Sequence, residues 1–214
     1  MLGRLITLEG IDGSGKSTVA RELAKRLPDL LPGRRLVFTS EPTGSEAGRI
    51  LRAHLAGAEA ESPPQPQLHL EELFLFLADH ADHLARTVIP SLNEGALVIS
   101  DRYSDSTAAY QGVTLQGIVP DPVPWIRDIS RPWNVLPDLT MLFVLDPAKA
   151  CKRLVSRTGL DKFERLDFLK CVDGNFRRLA EMEPQRFAMV DANSDPDAVA
   201  DRALSLILDL AARP

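Results

Sequence analysis

Near the start of the chain the run Gly10-Ile11-Asp12-Gly13-Ser14-Gly15-Lys16-Ser17 fits the pattern GxxxxGK[ST] without a mismatch. Glycines let successive backbone N–H groups turn inward around phosphate oxygens, and the N-terminus of a following helix adds partial positive charge. Lys16 is placed to neutralise the β- and γ-phosphates, Ser17 to offer an oxygen to Mg²⁺, and Thr18 follows at the helix start. The plain alternative is a glycine-rich turn capping an ordinary helix. An apolar run before the motif and a helical pattern after it favour the phosphate loop, so the chain is expected to bind ATP or a similar triphosphate.

A second pair of residues narrows the chemistry. The apolar run Ala96–Ser100 ends in Asp101-Arg102, not in the Asp-Glu pair of ATPase motors, and no guanine-reading NKxD occurs. Asp101 could hold Mg²⁺ through water while Arg102 reaches the phosphate of an acceptor, since a guanidinium fits phosphate oxygens bidentately. A salt bridge at a strand end is the simpler use of the same pair.

These groups need a scaffold. Five continuous apolar runs, Arg4–Leu8, Arg35–Thr39, Ala96–Ser100, Leu139–Leu145 and Phe187–Val190, read as strands covered on both faces. Helical stripes separate them: Val19, Leu23, Ala24 and Leu27; Leu70, Leu73, Leu77, Leu84 and Val88; Leu169, Val172, Phe176 and Leu179; and Val199, Ala203, Leu206 and Leu210. Asp146-Pro147 and Asp195-Pro196 each set a capping carboxylate before a proline at the first helical position. Strands alternating with helices predict an α/β fold, three layers around a parallel sheet, in one domain over residues 1–214. Gly57–Gln67, with three prolines, reads as an exposed connection, and Thr158–Phe163 as a second, mobile loop.

Composition sets the outer limits. The chain has 214 residues, 44% hydrophobic and 26% charged, which suffices for a real core and excludes wholesale disorder. A net charge of −5 argues against a general nucleic-acid binder, though not against a local basic pocket for a small anion. Apolar runs such as Leu142–Leu145 are far too short to span a bilayer. The glycine-rich stretch comes almost at once, which predicts no signal peptide and a cytoplasmic location. Cys151 and Cys171 form no CxxC pair and are expected to be buried, reduced thiols.

Beyond these features, an ordered set of segments resembles the thymidylate kinase family. It comprises Glu9 to Thr18, then Thr39-Ser-Glu-Pro-Thr-Gly44, Asp101-Arg-Tyr103, Ser106-Thr-Ala-Ala-Tyr-Gln-Gly112, and Pro137-Asp-Leu-Thr140 running to Asp146-Pro147. The resemblance implies a P-loop nucleoside monophosphate kinase fold with a five-stranded parallel sheet and a short lid, here around residues 152–165. It also implies transfer of the γ-phosphoryl of ATP to dTMP with Mg²⁺, in dTTP synthesis, by a homodimer. Carried onto matching positions, Phe76 stacks on thymine, Arg102 grips the acceptor phosphate, and Thr107 and Tyr110, flanked by Ser106 and Gln111, border base and sugar. Asp12 lies near the sugar hydroxyl or the attacking phosphate. Glu41, Pro42 and Arg52 shape the acceptor loop. Because the phosphate loop holds no basic residue before Lys16, the chain is similar to the lid-arginine, bacterial type, with Arg153 and Arg157 four residues apart as catalytic arginines. A solvated basic helix face is the alternative for those two.

One position departs from the pattern. After Ala78-Asp79 the family normally has an arginine that reads the thymine edge, and here stands His80. Phe76, His80 and His83 fall at i, i+4 and i+7, off the leucine stripe, which permits a pocket wall of one ring and one imidazole; a surface or interface histidine is equally open. Ser40 and Thr43 depart more mildly. Base choice is therefore less determined than reaction type. Another pyrimidine nucleoside monophosphate as acceptor, or a nucleotide-binding homologue without turnover, are the alternatives.

Overall fold

The structure is a computed structural model that describes residues 2–57, 66–158 and 162–212, with side chains for these except 155–158 and 162–165. Strands β1 (Arg4–Glu9), β2 (Leu36–Ser40), β3 (Leu97–Asp101), β4 (Leu139–Val144) and β5 (Phe187–Asp191) form one parallel sheet in the order β2-β3-β1-β4-β5. Each predicted strand is present, with ends moved by one residue or so. The reason the runs are continuous is visible along β1 and β3. Ile6, Leu8, Leu97 and Ile99 join the cluster containing Val19, Leu23 and Leu27, while Leu5 and Val98 join a separate one containing Leu84, Val88, Leu92 and Tyr103. Alternate residues thus meet different layers, and both layers are apolar.

Helix α1 (Lys16–Leu30) leaves β1 through the phosphate-loop motif and packs on α9 (Pro196–Ala211). Helix α5 (Ser104–Thr114) leaves β3 and packs on α3 (Pro66–His83), α6 (Pro122–Ser130) and α8 (Lys162–Met182). Helix α2 (Glu46–Gly57) lies on α3, and α7 (Pro147–Thr158) on α8. Helix α3 continues through a π-helical turn, Leu84–Val88, into the short α4 (Ile89–Asn93). The two Asp-Pro starts behave as expected: Asp146 accepts from the Ala148 N–H at 2.8 Å and Asp195 from the Asp197 N–H at 2.9 Å. Among the described residues no helix is long and apolar enough to cross a membrane.

Some details differ from expectation. Ala24, assigned to the buried stripe of α1, is exposed, because Val19, Leu23 and Leu27 already fill the i, i+4, i+8 seam. Cys171 is exposed on α8 and only Cys151 is buried; Leu169 and Val172 turn inward on either side of Cys171. Residues 58–65 of the Gly57–Gln67 connection and 159–161 of the Thr158–Phe163 loop lie outside the described residues.

A buried ion pair ties α5 to the sheet. Arg186, 7% exposed, donates through both terminal nitrogens to Asp105 at 2.6 and 2.8 Å and to Thr140 Oγ1 at 2.6 Å. Glu183 also pairs with Arg186 and bridges to Arg127 of α6. Desolvating a guanidinium and a carboxylate is costly, so such a pair tolerates the loss of one partner badly. Asp105→Asn is expected to lower the unfolding free energy by about 3 kcal/mol in a urea titration. A change of only about 0.5 kcal/mol, the surface-substitution range, would show that the pair does not anchor the helix.

Candidate active site

The phosphate loop follows β1, the central strand, and the Asp101-Arg102 pair ends the neighbouring β3. The loop and the pair meet at the carboxyl edge of the sheet, where open α/β folds place ligands. Gly10, Gly13 and Gly15 have φ of 137°, 80° and 94°, values that L side chains rarely adopt. At Gly10 a Cβ would also stand 2.6 Å from the Phe143 carbonyl oxygen. The cleft that results has a volume of about 610 Å³ and is lined by the loop, Arg102, Arg153 and the head of α9.

The cleft's cations are held by protein oxygens. Lys16 Nζ donates to the carbonyls of Gly10 at 2.8 Å and Ile11 at 3.0 Å, and to Ser14 Oγ at 3.3 Å. Burial, and repulsion from Arg102, push its ammonium down to about 7, so an incoming anion would restore its charge. Ser17 Oγ donates to Asp101 Oδ2 at 2.6 Å. A hydroxyl and a carboxylate so close together at a helix start form the hard-oxygen donor set that suits Mg²⁺.

Arg102 is the centre of a second cluster. Its φ of 70° is unusual for a side-chain-bearing residue, and its N–H donates to the Leu8 carbonyl at 3.0 Å. That backbone turns the guanidinium back over the loop. There it donates to Asp12 at 2.5 Å, Ser106 Oγ at 3.0 Å and the Gly10 carbonyl at 3.3 Å, with Tyr110 Oη at 3.4 Å. Tyr110 Oη in turn accepts the Asp12 N–H at 2.9 Å. The expected residues Asp12, Lys16, Ser17, Asp101, Arg102, Ser106 and Tyr110 are thus brought together. Thr107 is buried one residue beyond Ser106. Arg153 also reaches the loop, donating to the Gly13 carbonyl at 2.9 Å. The side chain of Arg157 lies outside the described residues.

Other expected residues are placed differently. Arg52 donates to the Pro42 carbonyl at 2.9 Å, bracing the turn that carries Glu41. Gln111 is 2% exposed and donates to Glu72 at 2.6 Å, so its amide serves the α3–α5 contact. Phe76 is half-buried on α3. His80 is neither a surface histidine nor half of a pocket wall with Phe76. It is 1% exposed and has both ring nitrogens on protein partners, Glu41 and Asn134. A histidine reaches less far than an arginine, and these two acceptors lie within its reach.

Asp79 braces the site from α3, and motif spacing did not single it out. It accepts from the Thr43 N–H at 2.8 Å, the Thr43 hydroxyl at 2.5 Å and Ser45 Oγ at 3.1 Å, pinning the acceptor loop to α3. Its only sequence signal was its place in the Ala-Asp pair.

The comparisons with known proteins bear on this geometry. The family model described as Thymidylate kinase matches residues 8–203. The chain belongs to the thymidylate kinase family. It is 48% identical over 214 residues to a probable thymidylate kinase of Methanosarcina acetivorans, covering 100% of this chain and 99% of that one. A probable thymidylate kinase of Halobacterium salinarum is 42% identical over 205 residues, 96% of each chain. The crystal structure of thymidylate kinase from Ehrlichia chaffeensis superposes with a TM-score of 0.72 at 28% identity, covering 96% of this chain and 98% of that one. The kinase fold expected from the resemblance, an α/β fold around a five-stranded parallel sheet, is therefore the fold observed.

Beneath the kinase's phosphate loop lies Glu9, fully buried. Its Oε2 accepts from Ser106 Oγ at 2.5 Å, while Oε1 has no hydrogen-bond partner among the described residues. Burial, together with the nearby Asp105 carboxylate, pushes Glu9 up to about 8, against the opposing pull of Ser106, Arg102 and Lys16. An unfolded chain ionises this group near its ordinary 4.5. The folded protein therefore holds the extra proton between those values, and stability present below the lower one is drawn down as pH rises through the upper. Glu9→Gln is expected to raise stability at about pH 8.5 relative to pH 5 by at least about 1.4 kcal/mol, the worth of one pKa unit. Parallel unfolding curves for both proteins at the two pH values would refute it.

Proposed function

We propose that the chain transfers the γ-phosphoryl group of Mg·ATP to dTMP, giving dTDP, as one kinase unit with its lid near residues 152–165. The observation that carries this reading is the Arg102 guanidinium, half-buried at the edge of the phosphate-loop cleft, in a chain of this family over nearly its full length. Arg102 pairs with Asp12. An acceptor phosphate offers a better, bidentate partner, so the guanidinium exchanges one anion for another without leaving its seat.

On the donor side, backbone N–H groups of Ile11 to Thr18 surround the triphosphate, and Lys16 trades its carbonyl contacts for the β/γ oxygens. Ser17 and Asp101 would hold Mg²⁺, which would supply charge neutralisation to the phosphates when bound. Arg153, at the Gly13 carbonyl, stands where a lid arginine can meet the transferring group. Its position supports the lid-arginine type, with Arg157 as its proposed partner one turn on. The reaction is then mainly positioning and charge stabilisation, in a cleft that Arg102 and Arg153 border.

On the acceptor side, Phe76 is the proposed thymine platform, and Thr107 and Tyr110 border the nucleoside. A second reading, an acceptor with another pyrimidine base, is favoured by one observation: His80 stands in place of the edge-reading arginine and is occupied elsewhere. A homodimer is supported by Ile50, Leu55, Leu68 and Phe74 of α2 and α3, which are 37–54% exposed although large and apolar.

ADP release with dTMP, dUMP, dCMP, AMP and thymidine offered separately tests the function. Strong turnover with dTMP alone, abolished by Lys16→Ala, is expected. ATP binding without turnover of any acceptor would sink the enzyme reading. Arg102→Ala is expected to raise the dTMP KM and lower kcat together, costing about 10²-fold or more in kcat/KM, because the contact serves ground and transition states. Arg153→Ala should lower kcat more than dTMP affinity. A full-rate Arg153→Ala, Arg157→Ala double variant would return both arginines to the role of a solvated helix face.

A further inference from the structure

On the far side of the acceptor loop lies a buried cluster that phosphate chemistry does not use. Glu41 Oε1 sits 2.7 Å from His80 Nδ1 and 2.7 Å from His83 Nδ1. His83 has latitude, because its Nε2 meets the Thr39 hydroxyl at 2.8 Å, a group that can donate or accept. His80 has less. Its Nε2 lies 2.9 Å from Asn134 Oδ1, with Asn134 Nδ2 donating to Ser104 Oγ at 3.1 Å. A carboxylate and an amide oxygen only accept, so in this arrangement both ring nitrogens of His80 donate and the ring is an imidazolium, whereas a turned amide, with Oδ1 on the Ser104 hydroxyl, would accompany a neutral ring.

The surroundings suit that charge. The titratable groups facing the ring are Glu41 from the acceptor loop, Asp79 and His83 from its own helix, and Tyr103 from the start of α5, edge-on at 4.6 Å. Asn134 and Trp133, on the remaining side, are neutral. Burial opposes the charge, yet Glu41, Asn134 and Asp79 together hold His80 above the usual histidine range.

We propose that the His80 imidazolium is a positioning residue that ties the acceptor loop to the helix following Arg102. One end of the tie is Glu41, whose N–H donates to the Asp101 carbonyl at 3.1 Å and whose neighbour Pro42 is braced by Arg52. The other end is Asn134, joined to Ser104, two residues after Arg102. His80 is closed off from solvent, so it acts on the acceptor nucleotide through these two ends. A neutral imidazole has one N–H, so losing a proton breaks the Asn134 end as it stands, releasing it or turning the amide, and weakens the charge-assisted hold on Glu41 that keeps the loop in register with Arg102. The inference rests on the proposed dTMP kinase reading and assigns base-edge recognition to groups other than the residue in the arginine's place.

Two measurements on the full-length protein test it. Long-range ¹H–¹⁵N spectra of the imidazoles are expected to show both nitrogens of His80 protonated at about pH 7. Kinetics from about pH 6.5 to 9.5 are expected to show the dTMP KM rising about tenfold as His80 ionises, the worth of one charge-assisted hydrogen bond. The ATP KM also follows Lys16 over that range, so it serves as the reference: His80→Gln should leave it within about twofold of wild type at each pH. His80→Gln should start with the raised dTMP KM and lose its pH dependence. Asn134→Ala, which cuts only the outer end, serves where that variant does not fold and should bring the KM rise to lower pH. A neutral His80 at pH 7, a dTMP KM indifferent to its ionisation, or an ATP KM that His80→Gln raises as much as the dTMP KM would each overturn the proposal. A wild-type protein that turns over a different acceptor would overturn the dTMP reading alone, since the spectra and that acceptor's KM still read the tie.

Discussion

The site depends on holding a half-buried guanidinium in a fixed place at the edge of a parallel sheet. Arg102 is tucked between the phosphate loop and α5, and every donor it turns inward needs an acceptor. Asp12, Ser106, Tyr110 and the Gly10 carbonyl provide them, and each lies on an element whose position is otherwise fixed. The strained backbone at Arg102 belongs to the same arrangement. An extended conformation there would carry the side chain onward with β3, whereas the left-handed turn sends it back over the loop. The price is strain of order 1–3 kcal/mol, which the surrounding hydrogen bonds and the fully buried Tyr103 hold in place.

Below this cation lies a layer of polar groups that would be hard to explain by stability alone. Thr7 and Thr140 hydrogen-bond at 3.0 Å across β1 and β4, Arg186 joins Thr140 to Asp105, and Glu9 sits under Ser106. An apolar layer would cost less desolvation. What the polar layer provides is direction. Asp105 is anchored to the sheet by two hydrogen bonds from Arg186, so the next residue, Ser106, is fixed where its hydroxyl can accept from Arg102 and donate to Glu9. Glu9, which burial pushes toward its neutral form, competes little with phosphates for Lys16 and Arg102.

The unequal legibility of the sequence follows from how far apart in the chain the partners stand. The phosphate loop is local: glycine, lysine and hydroxyl within one turn specify backbone, charge and metal donor together. The strands are legible because both faces are buried, and the caps of α7 and α9 because Asp-Pro acts on its immediate neighbours. The surroundings of His80 are another matter. Glu41 and Asn134 lie 39 and 54 residues from it, on opposite sides in sequence, and nothing about an asparagine after a tryptophan marks it as an acceptor. Asp105 and Arg186 are 81 residues apart, and each alone reads as an ordinary surface charge. Ala24 and Cys171 fail for a smaller reason: helical periodicity gives the centre of a buried stripe well and its margins poorly, and small or weakly polar residues sit at either.

Reaction type and base choice are therefore held by different kinds of structure. Phosphoryl transfer rests on a loop and a strand end that carry their chemistry in a few adjacent residues. Base choice rests on the space between α3 and α5, where the family's arginine would bring a fork of donors to the thymine edge. In this chain the corresponding histidine has both ring nitrogens on Glu41 and Asn134, so on the proposed reading it presents no donor to the base. An apolar pocket would then separate thymine from uracil by one methyl group, worth only about 1–3 kcal/mol. On the proposed reading, histidine in place of arginine puts a charge on the scaffold rather than at the ligand, where it holds the acceptor loop against the segment that leads from Arg102 into α5.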